Sequence, residues 1–93
     1  FSNIIALDVI EHIEDGKGFL EECHRLLVNG GRLIIQAPMI LEDGLYEERM
    51  FHEIEHIWIY DVNHMKQMLI EQEFKIVSVE RFVLGHEQIV AEK

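Results

Sequence analysis

The chain opens on a short apolar run, Ile4-Ile5-Ala6-Leu7, closed by Asp8. Such an unbroken run suits a strand buried on both faces, as in a parallel sheet. Residues Val9 to Asp15 read as a loop. From about Gly16 to Val28 the period changes. Phe19, Leu20, Cys23, Leu26 and Leu27 fall at helical spacing on one face, with Glu21, Glu22 and Arg25 on the other. Asn29-Gly30-Gly31 supplies the left-handed residues that stop a helix. Leu33-Ile34-Ile35 is a second apolar run, and Pro38, which cannot donate to a central ladder, is expected to close it. Strand, helix and strand make a βαβ unit with a right-handed crossover.

Residues 40–60 break the pattern. Glu42-Asp43-Gly44 is a turn, Leu45 to His56 is acidic with irregular apolar spacing, and Ile57-Trp58-Ile59-Tyr60 suits an extended segment. This stretch reads as an excursion over the carboxyl ends of the strands. Asp61 then suits an N-cap, and Val62, Met65, Met68 and Leu69 form the apolar face of a second helix reaching about Gln72. Phe74 to Phe82 and Gln88 to Ala91 read as two strands of an antiparallel hairpin, with Gly85-His86 in its turn. The expected fold is α/β: a four-stranded mixed sheet with helices packed on it, in one domain spanning residues 1–93.

The 93 residues are 48% hydrophobic and 28% charged, a composition that argues against disorder and leaves room for a single small domain. Net charge is −10, from eighteen acids against eight bases, and the bases form no stripe. A surface this acidic repels phosphate backbones, which argues against nucleic acid as a partner. No apolar run approaches the roughly 20 residues of a membrane helix. The single cysteine, Cys23, excludes an internal disulfide and fits a cytoplasmic setting. On the apolar helix face it reads as a buried thiol, not a nucleophile. His24, His64 and His86 fall at positions expected to be solvated. Because position 1 is Phe, the sequence is expected to be a piece of a longer chain.

Two clusters carry candidate chemistry. Asp8, Glu11 and His12 form D-x-x-E-H at the carboxyl end of the first strand, where open α/β sheets bind ligands. Two carboxylates and an imidazole suit a hard divalent ion completed by water; the same residues also suit a metal-free pocket wall or a structural role. His52-Glu53-Ile54-Glu55-His56 spells H-E-x-x-H, which on a helix sets two imidazoles on one face for zinc, as in a peptidase; a solvated acidic helix is the plainer reading.

The ordered landmarks of residues 1–38 closely resemble the second half of a class I S-adenosylmethionine-dependent methyltransferase of the type 11/12 kind. They are the strand ending Leu7-Asp8, the Glu11-His12 pair, Phe19-Leu20 opening a helix, Leu26-Leu27 before Gly30-Gly31, and the strand Arg32 to Gln36. Trp58 to Leu69, Phe74 to Val79 and Ile89 to Lys93 agree as well. The resemblance implies a partial Rossmann-like sheet, strands four to seven of seven, with the seventh antiparallel beside the fifth. It implies that Asp8 and Val9 border S-adenosylmethionine, and that residues 40–60, with Trp58 and Tyr60, wall the substrate pocket. His12 and His56 become the candidate bases. The small-RNA 2′-O-methyltransferases carry a similar E-x-x-E-H cluster with a later His that binds magnesium. Here that implies a Mg site at Asp8, Glu11, His12 and His56, with Asp8 one methylene shorter than the family's Glu. The family's cofactor loop has no counterpart, since the only G-x-G, Gly16-Lys17-Gly18, is a helix entry. The fragment alone is therefore expected to be inactive. Expected partners are a small-molecule, sugar, lipid or protein acceptor, and a second copy pairing through the exposed first-strand edge. The alternative function is a non-catalytic binding or assembly module that keeps the half-fold.

Overall fold

A computed structural model describes residues 1–40, 60–83 and 86–93; for Glu11, Ile40, Tyr60, Asp61, Phe82 and Val83 it describes the backbone alone. The elements run β1 (Asn3–Leu7), a 3-10 turn (Ile10–His12), α1 (Gly16–Leu26), β2 (Arg32–Ile40), β3 (Tyr60–Asp61), α2 (Val62–Glu71), β4 (Lys75–Val83) and β5 (His86–Glu92). The sheet order is β1-β2-β5-β4, with β3 pairing the end of β2. β1 and β2 are parallel, and β5 is antiparallel to both β2 and β4. This is the α/β mixed sheet, with its last strand inserted antiparallel, that the resemblance implied.

Local chemistry sets the boundaries. Asp15 caps α1, its carboxylate accepting from the Gly18 amide at 2.9 Å. Gly30 takes φ +82° after the helix, a left-handed conformation that favours glycine. At Gly31 a Cβ would lie 2.8 Å from the Val28 carbonyl oxygen and 3.1 Å from that of Ser2. Lys93 ties the end of β5 to the same corner: its ammonium donates to the carbonyls of His24 at 2.7 Å and Leu27 at 2.8 Å, near the negative end of α1.

The core joins Leu20, Cys23 and Leu27 of α1 and Met65 and Leu69 of α2 to Leu33, Ile35 and Ile89 of the sheet. Both helices therefore cover one face, the side of odd-numbered β2 residues. The apolar runs predict strands buried on both faces, and here the structure differs. Among the described residues the second face is open, so Ile5 is 61% and Leu7 53% exposed. Ile34 and Val90 lie half-buried on that same face.

Four further expectations change. Pro38 does not close β2, which continues to Ile40 with Pro38 opposite His86. The Gln36 carbonyl accepts from the Asp8 amide on the β1 side. Backbone groups alternate sides along a strand, so Pro38 faces that side too, beyond the last residue of β1. Its missing N–H thus breaks no ladder. His86 belongs to β5 and not to the turn. Leu26 is exposed, the last residue of α1, and Val28 lies beyond the helix. The stretch expected to be a loop contains the 3-10 turn, pinned by Ile10, which is fully buried.

Candidate functional site

The carboxyl ends of β1 and β2 point the same way, and antiparallel β5 brings its first residues to that end. Ligands of open α/β sheets gather there. Asp8 follows β1 directly and turns the chain at φ 53°, a left-handed conformation in which Asp is among the tolerated residues. Its amide donates to the Gln36 carbonyl at 2.7 Å. Its Oδ1 lies 2.9 Å from Nε2 of His86. The contact is a hydrogen bond with a neutral imidazole and an ion pair with a protonated one. His86, expected to be solvated, is mostly covered and joins β5 to the end of β1 across β2.

Val9 follows Asp8 with its side chain partly exposed, and His12 stands exposed at the end of the 3-10 turn. The stretch Asp8–His12 thus lies at the carboxyl end of β1. Among the described residues no three His, Cys, Asp or Glu side chains gather to hold a metal, and the described partner of Asp8 is His86. The Glu11 side chain, His56 and the rest of the H-E-x-x-H motif, Trp58 and the Tyr60 side chain lie outside the described residues. The backbone of Tyr60 pairs with Met39, which returns the chain to the carboxyl end of β2.

Successive strand residues face opposite ways, so Glu87 points to the helix-covered face while His86 points to the open one. Glu87 is 3% exposed, the only buried charged residue among those described. Its Oε1 accepts from Nε of Arg81 at 2.9 Å, and Arg81 keeps half its side chain exposed. These two residues, with Val62 and Val79, line an open cavity of about 410 Å³. Sequence reasoning missed both charged residues. The signal was present for Glu87: the alternation Glu87, Ile89, Ala91 sets it on the buried face.

Cys23 is buried, and burial first, then the charge of Glu22, pushes its thiol up, which keeps it protonated and unreactive. His24, expected to be solvated, packs edge-on against Phe74 at 5.0 Å.

Residues 1–35 match the methyltransferase domain family model. No curated protein matches the sequence. Among solved structures, the chain superposes on an O-methyltransferase family 2 protein from Planctomyces limnophilus in complex with apigenin, with a TM-score of 0.79 at 19% identity, covering 99% of this chain and 30% of that one. An S-adenosylmethionine-dependent methyltransferase from Mesorhizobium loti gives 0.77 at 14% identity, covering 100% of this chain and 62% of that one. Human N-acetylserotonin methyltransferase in complex with S-adenosylmethionine gives 0.81 at 16% identity, covering 99% and 29%. The chain spans less than two-thirds of each of these structures, and none of them is a peptidase. With a methyltransferase-domain match across β1, α1 and the start of β2, and a superposition on solved methyltransferases that takes in nearly its whole length, the chain carries part of the class I S-adenosylmethionine-dependent methyltransferase fold.

Proposed function

We propose that the chain forms part of a methyltransferase that moves a methyl group from S-adenosylmethionine to a small-molecule, sugar, lipid or protein acceptor. The observation that supports this most is the methyltransferase-domain match over residues 1–35, which brackets Asp8 and Val9 at the carboxyl end of β1. The residues there fit the cofactor. A half-exposed carboxylate that accepts from hydroxyl or amine groups stands beside a partly exposed apolar side chain that packs on a ring. The cofactor supplies an electrophilic methyl on sulfonium. The chain positions the two partners in line and takes a proton from the acceptor where one is lost.

In this reading Asp8, fixed by His86, and Val9 border the cofactor. His12, exposed beside them, and His56 are the candidate proton acceptors. Residues 40–60, with Trp58 and Tyr60, wall the acceptor side; support comes from the Tyr60 backbone at the end of β2. The acidic composition favours acceptors other than nucleic acid.

Titration calorimetry of the full-length protein that contains this chain, with S-adenosylhomocysteine, tests the reading. Binding is expected, and Asp8→Ala should weaken it about tenfold, in line with loss of a charge-assisted hydrogen bond. Absence of any heat with the unaltered protein rejects the methyltransferase reading in favour of a non-catalytic module. One observation favours that second reading, with a second copy as partner: β1 has β2 alone as its neighbour among the described residues, and Ile5 and Leu7 are exposed along it.

A further inference from the structure

The cavity between α2 and the β4–β5 ladder holds an acceptor atom that no described residue supplies with a donor. Glu87 lines it with its side chain 5% exposed. Oε1 takes the Arg81 Nε–H. Among the described residues no group donates to Oε2. A buried carboxylate oxygen left without a donor is costly, which is why such atoms are nearly always satisfied by protein, water or ligand. Beside it, Arg81 spends only its Nε on Glu87, and the guanidinium's other edge, carrying two terminal nitrogens, faces no partner among the described residues. The cavity therefore offers an acceptor and a donor side by side, and its other described lining residues are Val62 and Val79. Its volume falls within the range of small-molecule sites.

Charge selects among the groups that fit. The Glu87 carboxylate is already neutralised by Arg81. An ammonium adds an unbalanced cation next to a guanidinium, and a carboxylate sets a like charge against Glu87. A neutral hydroxyl does neither: its O–H donates to Oε2 and its oxygen accepts from Arg81. We propose that this cavity binds the hydroxyl group of a small, apolar-bodied molecule, an alcohol or phenol, through Glu87 and Arg81. Naming that molecule as the methyl acceptor rests on the methyltransferase reading; the hydroxyl site itself does not.

Ligand-observed NMR titration of the purified protein with phenol, anisole and benzylamine tests the assignment. Phenol should bind, and anisole, which has the same ring but cannot donate, at least tenfold more weakly. Benzylamine should also bind more weakly than phenol. Glu87→Gln should weaken phenol about tenfold and leave anisole unchanged. Val79→Phe, on the partly exposed wall, should fill the cavity and abolish phenol binding, and it serves where Glu87→Gln does not fold. Equal binding of phenol and anisole, preference for benzylamine, phenol binding that survives Val79→Phe, or no binding of phenol overturns the proposal. S-adenosylhomocysteine is titrated in parallel into the full-length protein. Its failure alongside phenol binding removes the methyltransferase reading and leaves the hydroxyl site standing, and the converse result removes only the site.

Discussion

At Asp8 the backbone turns left-handed while its carboxylate meets an imidazole 78 residues further along the chain. No local pattern announces such a pair. The sequence places Asp8 at a strand end, but His86 resembles any polar residue beside a glycine. Cys23 is the opposite case, because helical spacing already set it on the apolar face. Its raised thiol has a consequence for stability. In the unfolded chain the thiol ionises at its ordinary value, and in the folded chain only at higher pH. Folding stability is therefore full below the ordinary thiol range and falls as pH rises towards the folded value. Urea denaturation between about pH 7 and pH 10 should show this decline, and Cys23→Ala should flatten it. Native Cys23 should also react with iodoacetamide far more slowly than the thiol of the urea-unfolded chain.

Elements were legible where one physical cue dominated. The Asn29-Gly30-Gly31 stop, the apolar face of α1 and the run Leu33-Ile34-Ile35 each predicted their element within a few residues. β2 was cut short because Pro38 was judged by its own chemistry, whereas its place is decided by where β1 ends. One-sided burial was hidden for a similar reason. Ile5 and Ile34 are as apolar as Ile35, and only the placing of both helices on one face separates them. Gly31 links the helix stop to the sheet, since Val28 and Ser2 carbonyls crowd the space a side chain needs. Gly31→Ala should cost roughly 1–3 kcal/mol, as overpacked sites do. Thermal or urea unfolding measures it, and an unchanged midpoint shows that the corner yields.

On the scale of the molecule, the described residues cover the sheet on one side and leave the other bare. That side carries Ile5 and Leu7 of β1, which among the described residues has β2 alone as its neighbour. An exposed apolar surface of this kind marks an association site. Ile5→Lys should leave unfolding stability within about 0.5 kcal/mol, because the side chain is exposed. If a second copy covers this face, the same change should shift the protein towards monomer in sedimentation velocity. Identical sedimentation of both proteins shows that Ile5 takes no part in self-association. The site reads in the same divided way. The place of Asp8 and Val9 at the end of β1 was legible in the sequence, whereas Glu87 and Arg81 needed the pairing of two strands to reveal a shared cavity.

Residues 86–92 come last in the described order yet occupy the middle of the sheet, between β2 and β4. A chain clipped ahead of them does not merely lose an outer ribbon. β4 loses the strand that joins it to β2 and keeps its packing against α2, and both the Asp8 clasp and the Glu87 wall vanish together.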